Sequence, residues 1–394
     1  MQTDFHYYAT YCAAFLAGYT PDQCKVISHC AQLPDWCTQT FLGRINAPRS
    51  AATTQLKLEL ANANTDMVGL QEITRIWSSF HFLPGDIDAD VNRGNRRYRE
   101  KYRLICNTNG PLLVDTVKLA KDKGLEAAGL SMHILADTWA HRYFAGTPSL
   151  VINNVSNHLR ELIPNPDPSS DVPYIERRIT FGTNEAGEDD PKTGSYISSI
   201  FQIDESSIMN LGHGRAGHLP DYSFARYTYL PAWNEYRAVI KDNPSEYYHA
   251  FCQMVYALRY LRGDIPDFEV DQYAWDIVKP WESSIRSILE KRQLDSCEDW
   301  RSLGEQMTGV SLNPFMRDYG TPEYLDATNS SERNDTLLGR FILAALAQKS
   351  MVTHKVYASG NLLAGRSVEV KKGHFRGVRD FAELVRHYGR GNAQ

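Results

Sequence analysis

The fold of this chain is predicted from the stretch Ser131-Met-His133-Ile-Leu-Ala-Asp137-Thr-Trp-Ala-His141, in which His, Asp and His recur at every fourth position. On an α-helix, side chains four residues apart lie on one face, so these three groups converge. The other residues of the stretch are mostly apolar, which indicates a buried helix. A polar stripe can also face solvent or satisfy itself by hydrogen bonds. Because imidazole and carboxylate both bind zinc, a buried stripe of this kind favours a metal site.

The segments around this stretch continue the helical pattern. Strand patterns are few, with weak candidates at 178–181 and 366–370. The stretch 163–194 is rich in Pro, Ser, Asp and Gly, which indicates a long surface loop or insertion. The fold class is therefore predicted to be mainly α, a multi-helical domain. The predicted helices span 7–17, 21–31, 112–121, 125–144, 244–260, 336–353 and 381–388.

Composition and charge restrict the class of protein. The net charge is −5 and the sequence pI is about 6.2. Proteins that bind the phosphate backbone of nucleic acids usually do so through a basic surface. Stable nucleic-acid binding is therefore not expected. The seven Cys include no C-x-x-C pair, which is typical of reduced thiols in a cytosolic protein. No transmembrane helix and no secretory signal are predicted, so a cytoplasmic location is expected, while a signal-less export route stays open.

Three further clusters contain possible metal ligands. The segment Gly212-His213-Gly-Arg-Ala-Gly-His218-Leu-Pro-Asp221 spaces two His and one Asp with Gly, which lets the backbone approach a ligand closely. His81 lies between aromatic residues in Phe80-His81-Phe82-Leu83-Pro84-Gly85-Asp86. Asp4-Phe-His6 stands near the beginning, and Asp35 follows in Leu33-Pro34-Asp35. Each cluster alone has a simpler explanation, namely a polar turn, a core His or a helix cap.

Taken together and in this order, the motifs resemble the superfamily of zinc-dependent phospholipases C and fungal single-strand nucleases. The resemblance implies an all-helical domain around a trinuclear zinc centre, with two or three ions expected here. It also implies that Asp137 bridges two metals and that Asp35 accepts the proton of the attacking water. The residues that it assigns as metal ligands are Asp4, His6, Asp35, His81, His133, Asp137, His141, His213, His218 and Asp221. Only one of His213 and His218 is needed, and the choice is left open.

The most specific expectation from this resemblance concerns Asp4 and His6. In an extended segment, alternate side chains point to one face, so Asp4 and His6 would bind one ion together. The alternative is that Asp4 caps the first helix and His6 lies at the surface. The chain departs from the superfamily in that Met1 stands three residues before Asp4, that His141 follows Asp137 closely, and that His218 and Asp221 are three apart.

The resemblance divides the chain into two predicted parts. Residues 1–240 form the metal-binding catalytic domain, with 163–194 as a loop insertion, and 241–394 form a helical C-terminal extension packed on it. The chain is also similar to a bacterial family of unknown function that begins with Asp-Phe-His-Tyr and carries Ala-Asp-Thr-Trp-Ala-His, and that similarity brings no activity with it.

The predicted function is a metal-dependent hydrolase of phosphoesters. Adjacent zinc ions supply hydroxide at neutral pH and neutralise a phosphoryl group. The alternatives are a metal-dependent amide or ester hydrolase and a non-catalytic domain that metals stabilise. The substrate class stays open between a small molecule, a lipid and a nucleotide. The basic cluster from Arg93 to Arg99 is a candidate phosphate-binding segment or a solvated loop.

Overall fold

The computed structural model of the protein is mainly helical, with a small antiparallel sheet beside the helices. It describes residues 1–56, 67–88, 102–147, 158–167, 169–181, 189–196, 212–361, 369–371 and 374–376. The basic cluster from Arg93 to Arg99 and the helix predicted at 381–388 lie outside these residues. The helices are α1 Thr10–Leu16, α2 Pro21–Gln32, α3 Gln39–Arg44, α4 Met67–Phe80, α5 Pro111–Ala120, α6 Leu125–Ala140, α7 Gly212–Ala216, α8 Asn243–Arg262, α9 Trp275–Val278, α10 Glu282–Glu290, α11 Cys297–Thr308, α12 Thr321–Asp326, α13 Ser330–Asp335 and α14 Leu337–Ala358. The prediction of a mainly α fold is confirmed.

The central helix α6 is the element that the sequence predicted. Gly124 precedes it with a φ of 94°, and His141 follows it as the C-terminal cap residue. Its residues from Glu126 to Ala140 are all buried, because α2, α8 and α14 pack around it. Gly129 is required where α2 crosses, since a Cβ atom there would lie 2.3 Å from the Ile27 carbonyl oxygen. Close packing on several sides therefore keeps water away from the polar stripe of this helix.

The N-terminal segment is helical and not extended. Residues Asp4–Ala9 form a π-helical turn that continues directly into α1, and every side chain in that turn is buried. The expectation of an extended Asp-x-His strand is therefore wrong. Successive side chains of a helix turn by about 100°, so Asp4 and His6 point in different directions.

Short strands accompany the helices. Those in the described part of the chain are β1 Arg160–Pro164, β2 Tyr174–Arg178, β3 Thr180–Phe181, β4 Ser195–Tyr196, β5 Arg226–Tyr229, β6 Val239–Asp242, β7 Glu369–Lys371 and β8 His374–Arg376. A four-stranded sheet has the order β2-β1-β5-β6, and all of its pairings are antiparallel. The 163–194 stretch contains the end of β1, all of β2 and all of β3, so the description of it as a loop insertion is corrected. Ser169, Ser170 and Pro173 lie between β1 and β2.

The residues after 240 share a core with the first half of the chain. One buried apolar cluster extends from Met1 to Val356 and includes Phe251 and Trp300. Helix α8 contacts both α1 and α6, and α11 packs on the N-terminal π-helical turn. A smaller cluster, with Phe82 and Tyr227 among its members, joins the sheet to the end of α6. Among the described residues, no helix is both long and apolar enough to cross a membrane.

Acidic pH is expected to destabilise this core through His29, which is 3% exposed and stacks on Phe315. Burial lowers the pKa of His29 to about 4. Between pH 6.5 and 4, the unfolded chain therefore binds a proton that the folded protein excludes, so the stabilisation present above pH 6.5 is lost as the pH falls. As the pH falls across this window, we expect the free energy of unfolding of the wild type to decrease, relative to that of the His29→Phe variant, by up to about 3 kcal/mol. Urea unfolding of both proteins at several pH values measures this change. A difference that does not vary with pH would contradict the lowered pKa of His29.

Candidate metal centre

Three groups of His and Asp side chains meet beside α6. They are His6 with His133 and Asp137, Asp35 with His81 and His133, and His141 with His213 and Asp221. Within each group, the atoms that could bind a metal lie within 4.8 Å of one another. His133 belongs to two groups, so these two are contiguous. Asp137 and Asp221 connect the first group to the third, because each carboxylate lies close to His141.

Helix α6 holds the centre of the arrangement. The Oδ2 atom of Asp137 lies 3.1 Å from His81 Nδ1 and 3.3 Å from His133 Nε2, and these two nitrogens are 3.2 Å apart. The three atoms therefore form a nearly equilateral triangle. The other oxygen of Asp137 lies 3.2 Å from His6 Nε2. Asp137 thus faces two sides with its two oxygens, as a bridging carboxylate would.

Backbone carbonyl groups orient three of the imidazoles. His133 Nδ1 lies 2.7 Å from the Ala31 carbonyl oxygen, and His141 Nδ1 lies 2.7 Å from the His81 carbonyl oxygen. His81 Nε2 lies 3.0 Å from the carbonyl oxygen of Thr53. A carbonyl only accepts, so each of these nitrogens must carry the hydrogen. In the neutral ring, the opposite nitrogen then presents a lone pair to the centre, which is the usual outer-shell arrangement of a metal-binding His.

The lone pairs consequently face other acceptors. His81 Nδ1, His133 Nε2 and Asp137 Oδ2 are three acceptors that lie within 3.3 Å of one another when both rings are neutral. His141 Nε2 likewise lies 3.2 Å from Asp221 Oδ1. Such contacts repel unless a proton or a metal ion lies between them. Four ligands placed tetrahedrally at zinc bond lengths of about 2 Å are roughly 3.3 Å apart, so the donor set fits a zinc ion.

Burial and charge together favour a bound cation. Burial lowers the pKa of His6 and of His141 to about 4, so both rings are neutral at pH 7. Although burial alone would raise the pKa of Asp137, the positively charged Met1 amino group beside it helps to hold this pKa well below its usual range. His6 is 0% exposed, and among the described residues neither of its nitrogens has a hydrogen bond of good geometry. A buried polar atom with no partner of this kind needs an explanation, and metal coordination is one.

The Met1 amino group lies inside the same cluster. Its nitrogen is 2.9 Å from Asp137 Oδ1, 3.1 Å from Asp221 Oδ1 and 3.4 Å from His141 Nε2. Burial opposes the charge on this amine, but Asp137, Asp221 and Asp35 attract it and raise its pKa to about 11. The negative charges of these three carboxylates outnumber the one positive charge of the amino group, so the centre still attracts cations.

Three side chains of the centre are partly exposed to solvent. The side chains of Asp35, His213 and Asp221 are 27%, 19% and 13% exposed, whereas those of His133 and Asp137 are 0% and 1% exposed. Asp35 accepts a hydrogen bond of 2.9 Å from Gln32 Nε2, and its other oxygen lies 3.8 Å from His81 Nδ1. A substrate would therefore approach past Asp35 and Asp221.

Two of the predicted ligands lie outside the three groups. The carboxylate of Asp4 accepts hydrogen bonds from the Ser296 hydroxyl and the Phe5 amide, and burial raises its pKa to about 6. His218 has Nδ1 2.9 Å from the buried carboxylate of Asp189. The structure groups the other eight predicted residues, which are His6, Asp35, His81, His133, Asp137, His141, His213 and Asp221.

The supporting residues were not found in the sequence. Gln32 stands three positions before Asp35 at the end of a helix, a spacing that could have indicated the pair. The carbonyl groups of Ala31 and Thr53 carry no side-chain signal, so nothing in the residue types could indicate their role. The position of Met1 was missed because the segment after it was taken as extended.

A pair of His variants is expected to separate the two candidates in the last cluster. His213→Ala removes a nitrogen 3.1 Å from Asp221 Oδ2 and should lower the zinc content of the protein by about one ion. His218→Ala removes a ring that lies on Asp189 and should keep the full content. Elemental analysis after gel filtration measures both. If only His218→Ala loses zinc, the metal ligand would be His218 and not His213.

Comparisons with known proteins give one match. Residues 1–356 match the model of a family described as a family of unknown function (DUF6765). No curated protein and no solved structure matches the chain.

Proposed function

The chain belongs to the DUF6765 family of unknown function, and we propose that it is a metal-dependent hydrolase that uses two or three zinc-type ions to cleave phosphoester bonds. The family match carries no activity, so the proposal depends on the donor groups around α6. The observation that carries it is the triangle of His81 Nδ1, His133 Nε2 and Asp137 Oδ2, in which two ring nitrogens and a carboxylate oxygen face one another inside the protein.

The types of ligand favour a catalytic site over a structural one. Structural zinc sites are closed, have four protein ligands and commonly use Cys. The described Cys residues are all free, and none belongs to the donor groups. The partly exposed carboxylates of Asp35 and Asp221 leave the centre accessible to water and substrate. A purely stabilising site would have no need of this access.

Each residue is assigned a role from its place in this arrangement. Bound zinc supplies a water of lowered pKa and charge that stabilises a phosphoryl group. His133 and Asp137 would hold the ions from inside the protein, and backbone carbonyl groups orient His81 and His141 for the same role. Asp35 is the most exposed carboxylate of the set, and Gln32 keeps its side chain in place. Asp35 is therefore the residue to accept the proton of the attacking water at its free oxygen.

The more specific proposal is a centre of the zinc phospholipase C and single-strand nuclease type. It is supported by the combination of an N-terminal His, a central helix with His and Asp four apart, and a later His and Asp. The proximity of His6 to Asp137 adds to this support, because these residues are distant in sequence. The absence of Asp4 from the donor groups speaks against a full copy of that arrangement.

The proposal is tested by a substrate panel on protein of known zinc content. The panel contains bis-p-nitrophenyl phosphate, p-nitrophenyl phosphate and a short-chain phosphatidylcholine, with p-nitrophenyl acetate and an amino-acid p-nitroanilide as the competing ester and amide. We expect turnover of at least one phosphoester, because several adjacent cations neutralise phosphoryl charge better than they assist an uncharged bond.

Asp35→Asn is the matched control for this panel. It should keep the zinc content largely intact, since Asp35 lies at the edge of its group, and lower the phosphoester turnover roughly 100-fold or more, the usual size of a general-base contribution. Turnover of the ester or the amide, with all phosphoesters inert, would replace the proposal by a metal-dependent amide or ester hydrolase. Full zinc content with no turnover in a broad panel would favour a domain that metals only stabilise.

A further inference from the structure

An apolar cavity lies between α5, α6 and α14, and it is separate from the metal centre. Its volume is about 200 Å³. The residues that α6 contributes are Ala127, Leu130, Ser131 and Ile134, which follow helical spacing along one face. The metal-site residues His133, Asp137 and His141 lie on a neighbouring face of the same helix.

The interior of the cavity offers a ligand only apolar contacts. Leu119, Leu130 and Ile134 line it. The polar side chains in its wall already have partners in the protein. Ser131 donates to the Ala128 carbonyl oxygen, and Gln348 donates to Thr116 Oγ1. An apolar cavity of about 150 Å³ is large enough to bind a benzene ring, so this one has room for a chain of roughly six to eight carbons.

The mouth of the cavity carries positive charge. Lys123 and Arg340 line it beside Leu343, whose side chain is 45% exposed. Arg340 is paired with Glu126 at 2.8 Å, and this contact balances one of the two charges. Lys123 forms no ion pair with any residue in the described part of the chain, so its ammonium group is available to an anion at the edge of an apolar space.

We propose that this cavity binds a medium-chain carboxylate, with the alkyl chain between α5, α6 and α14 and the carboxylate against Lys123. Charge complementarity selects this occupant, because an apolar tail matches the wall and a single negative charge matches the unpaired lysine. The proposal is independent of the metal centre, since no candidate ligand of that centre lines the cavity.

The test is calorimetric titration of the full chain with sodium butanoate, hexanoate, octanoate and dodecanoate. Each added methylene should tighten binding about 3- to 4-fold until the chain fills the cavity, after which the gain should stop. Octanol and octylamine are the matched probes without the negative charge, and both should bind more weakly than octanoate.

Two variants locate the site. Lys123→Gln should weaken octanoate binding about 3- to 5-fold, as expected for one exposed ion pair, and leave octanol binding unchanged. Ala344→Phe places a ring in the cavity from a half-buried lining position and should abolish octanoate binding while the thermal midpoint of the free protein is kept. Lys118→Gln on α5, whose side chain points to Asp267, is the charge control and should bind as wild type does.

The proposal is overturned if affinity does not depend on chain length, or if octylamine binds as tightly as octanoate. Unchanged octanoate binding by Ala344→Phe or by Lys123→Gln would also overturn it. Preferential binding of octanol would identify the cavity as one for neutral apolar groups, and the carboxylate assignment would then be wrong.

Discussion

Asp137→Asn is expected to remove most of the bound zinc and to lower phosphoester turnover at least roughly 1000-fold. Asp137 is 1% exposed and places one oxygen in the triangle with His81 and His133, while the other faces His6 and the Met1 amino group. The substitution keeps the shape of the side chain and removes its negative charge. Loss of one ligand or bridge in such a site costs several kcal/mol of charge stabilisation, and about 1.4 kcal/mol is tenfold in rate.

The matched control for this variant is Asp4→Asn. Asp4 is buried like Asp137 and belongs to the N-terminal turn, but its carboxylate accepts hydrogen bonds from the Ser296 hydroxyl and the Phe5 amide. Asp4→Asn should therefore keep the zinc content and the turnover of the wild type. Elemental analysis and steady-state kinetics on both variants decide the matter. Full zinc and full turnover in Asp137→Asn would remove the metal-centre assignment, and zinc loss from Asp4→Asn would return Asp4 to the ligand set.

Removal of metal by a chelator is expected to lower the thermal midpoint of the protein by roughly 5–15 °C and to abolish turnover. An ion present at a thousand times its dissociation constant stabilises the folded state by about 4 kcal/mol. The metal-free centre must in addition keep the acceptors His81 Nδ1, His133 Nε2 and Asp137 Oδ2 in contact with only protons between them. Differential scanning calorimetry before and after dialysis against the chelator measures the shift.

Adding metal back provides the control for this experiment. Zinc should restore both the midpoint and the turnover, whereas magnesium should not, because its octahedral preference for oxygen ligands does not suit a site rich in imidazole. The Asp137→Asn variant should show little shift on chelation. A wild-type midpoint that the chelator leaves unchanged would speak against any metal held by these residues.

The central helix and the mainly α class could be predicted because their signals are local. The stripe of His133, Asp137 and His141 requires only helical periodicity in an apolar helix. The conformation of Asp4–Ala9 could not be predicted in this way, since a chain end takes its structure from what packs on it, and here α11 packs on it. The strands between residues 160 and 196 are short, and the first of them, β1, pairs with β5, which is distant from it in sequence.

The candidate site also contains features that could be predicted from the sequence and features that could not. Residue types and order indicated the eight residues that the structure groups. They could not distinguish His213 from His218, because both follow Gly in one short segment, and the choice depends on where the carboxylate of Asp189 lies. The role of Asp4 was missed for a similar reason, since its partner Ser296 is 292 residues away. Long-range hydrogen bonds to side chains leave no periodicity in the sequence.

The spread of the donor groups along the chain has a consequence for biosynthesis. His6 and Asp221 lie at opposite ends of the assembled set, so the site cannot be completed until the ribosome has added more than 200 residues after His6. At ordinary translation speeds this takes roughly 10 to 40 s. During that time the N-terminal turn lacks the later candidate ligands and α11, which is made later still. A nascent chain of this protein therefore exposes apolar surface for a long interval, and it would be a natural client for chaperones until its last ligands emerge.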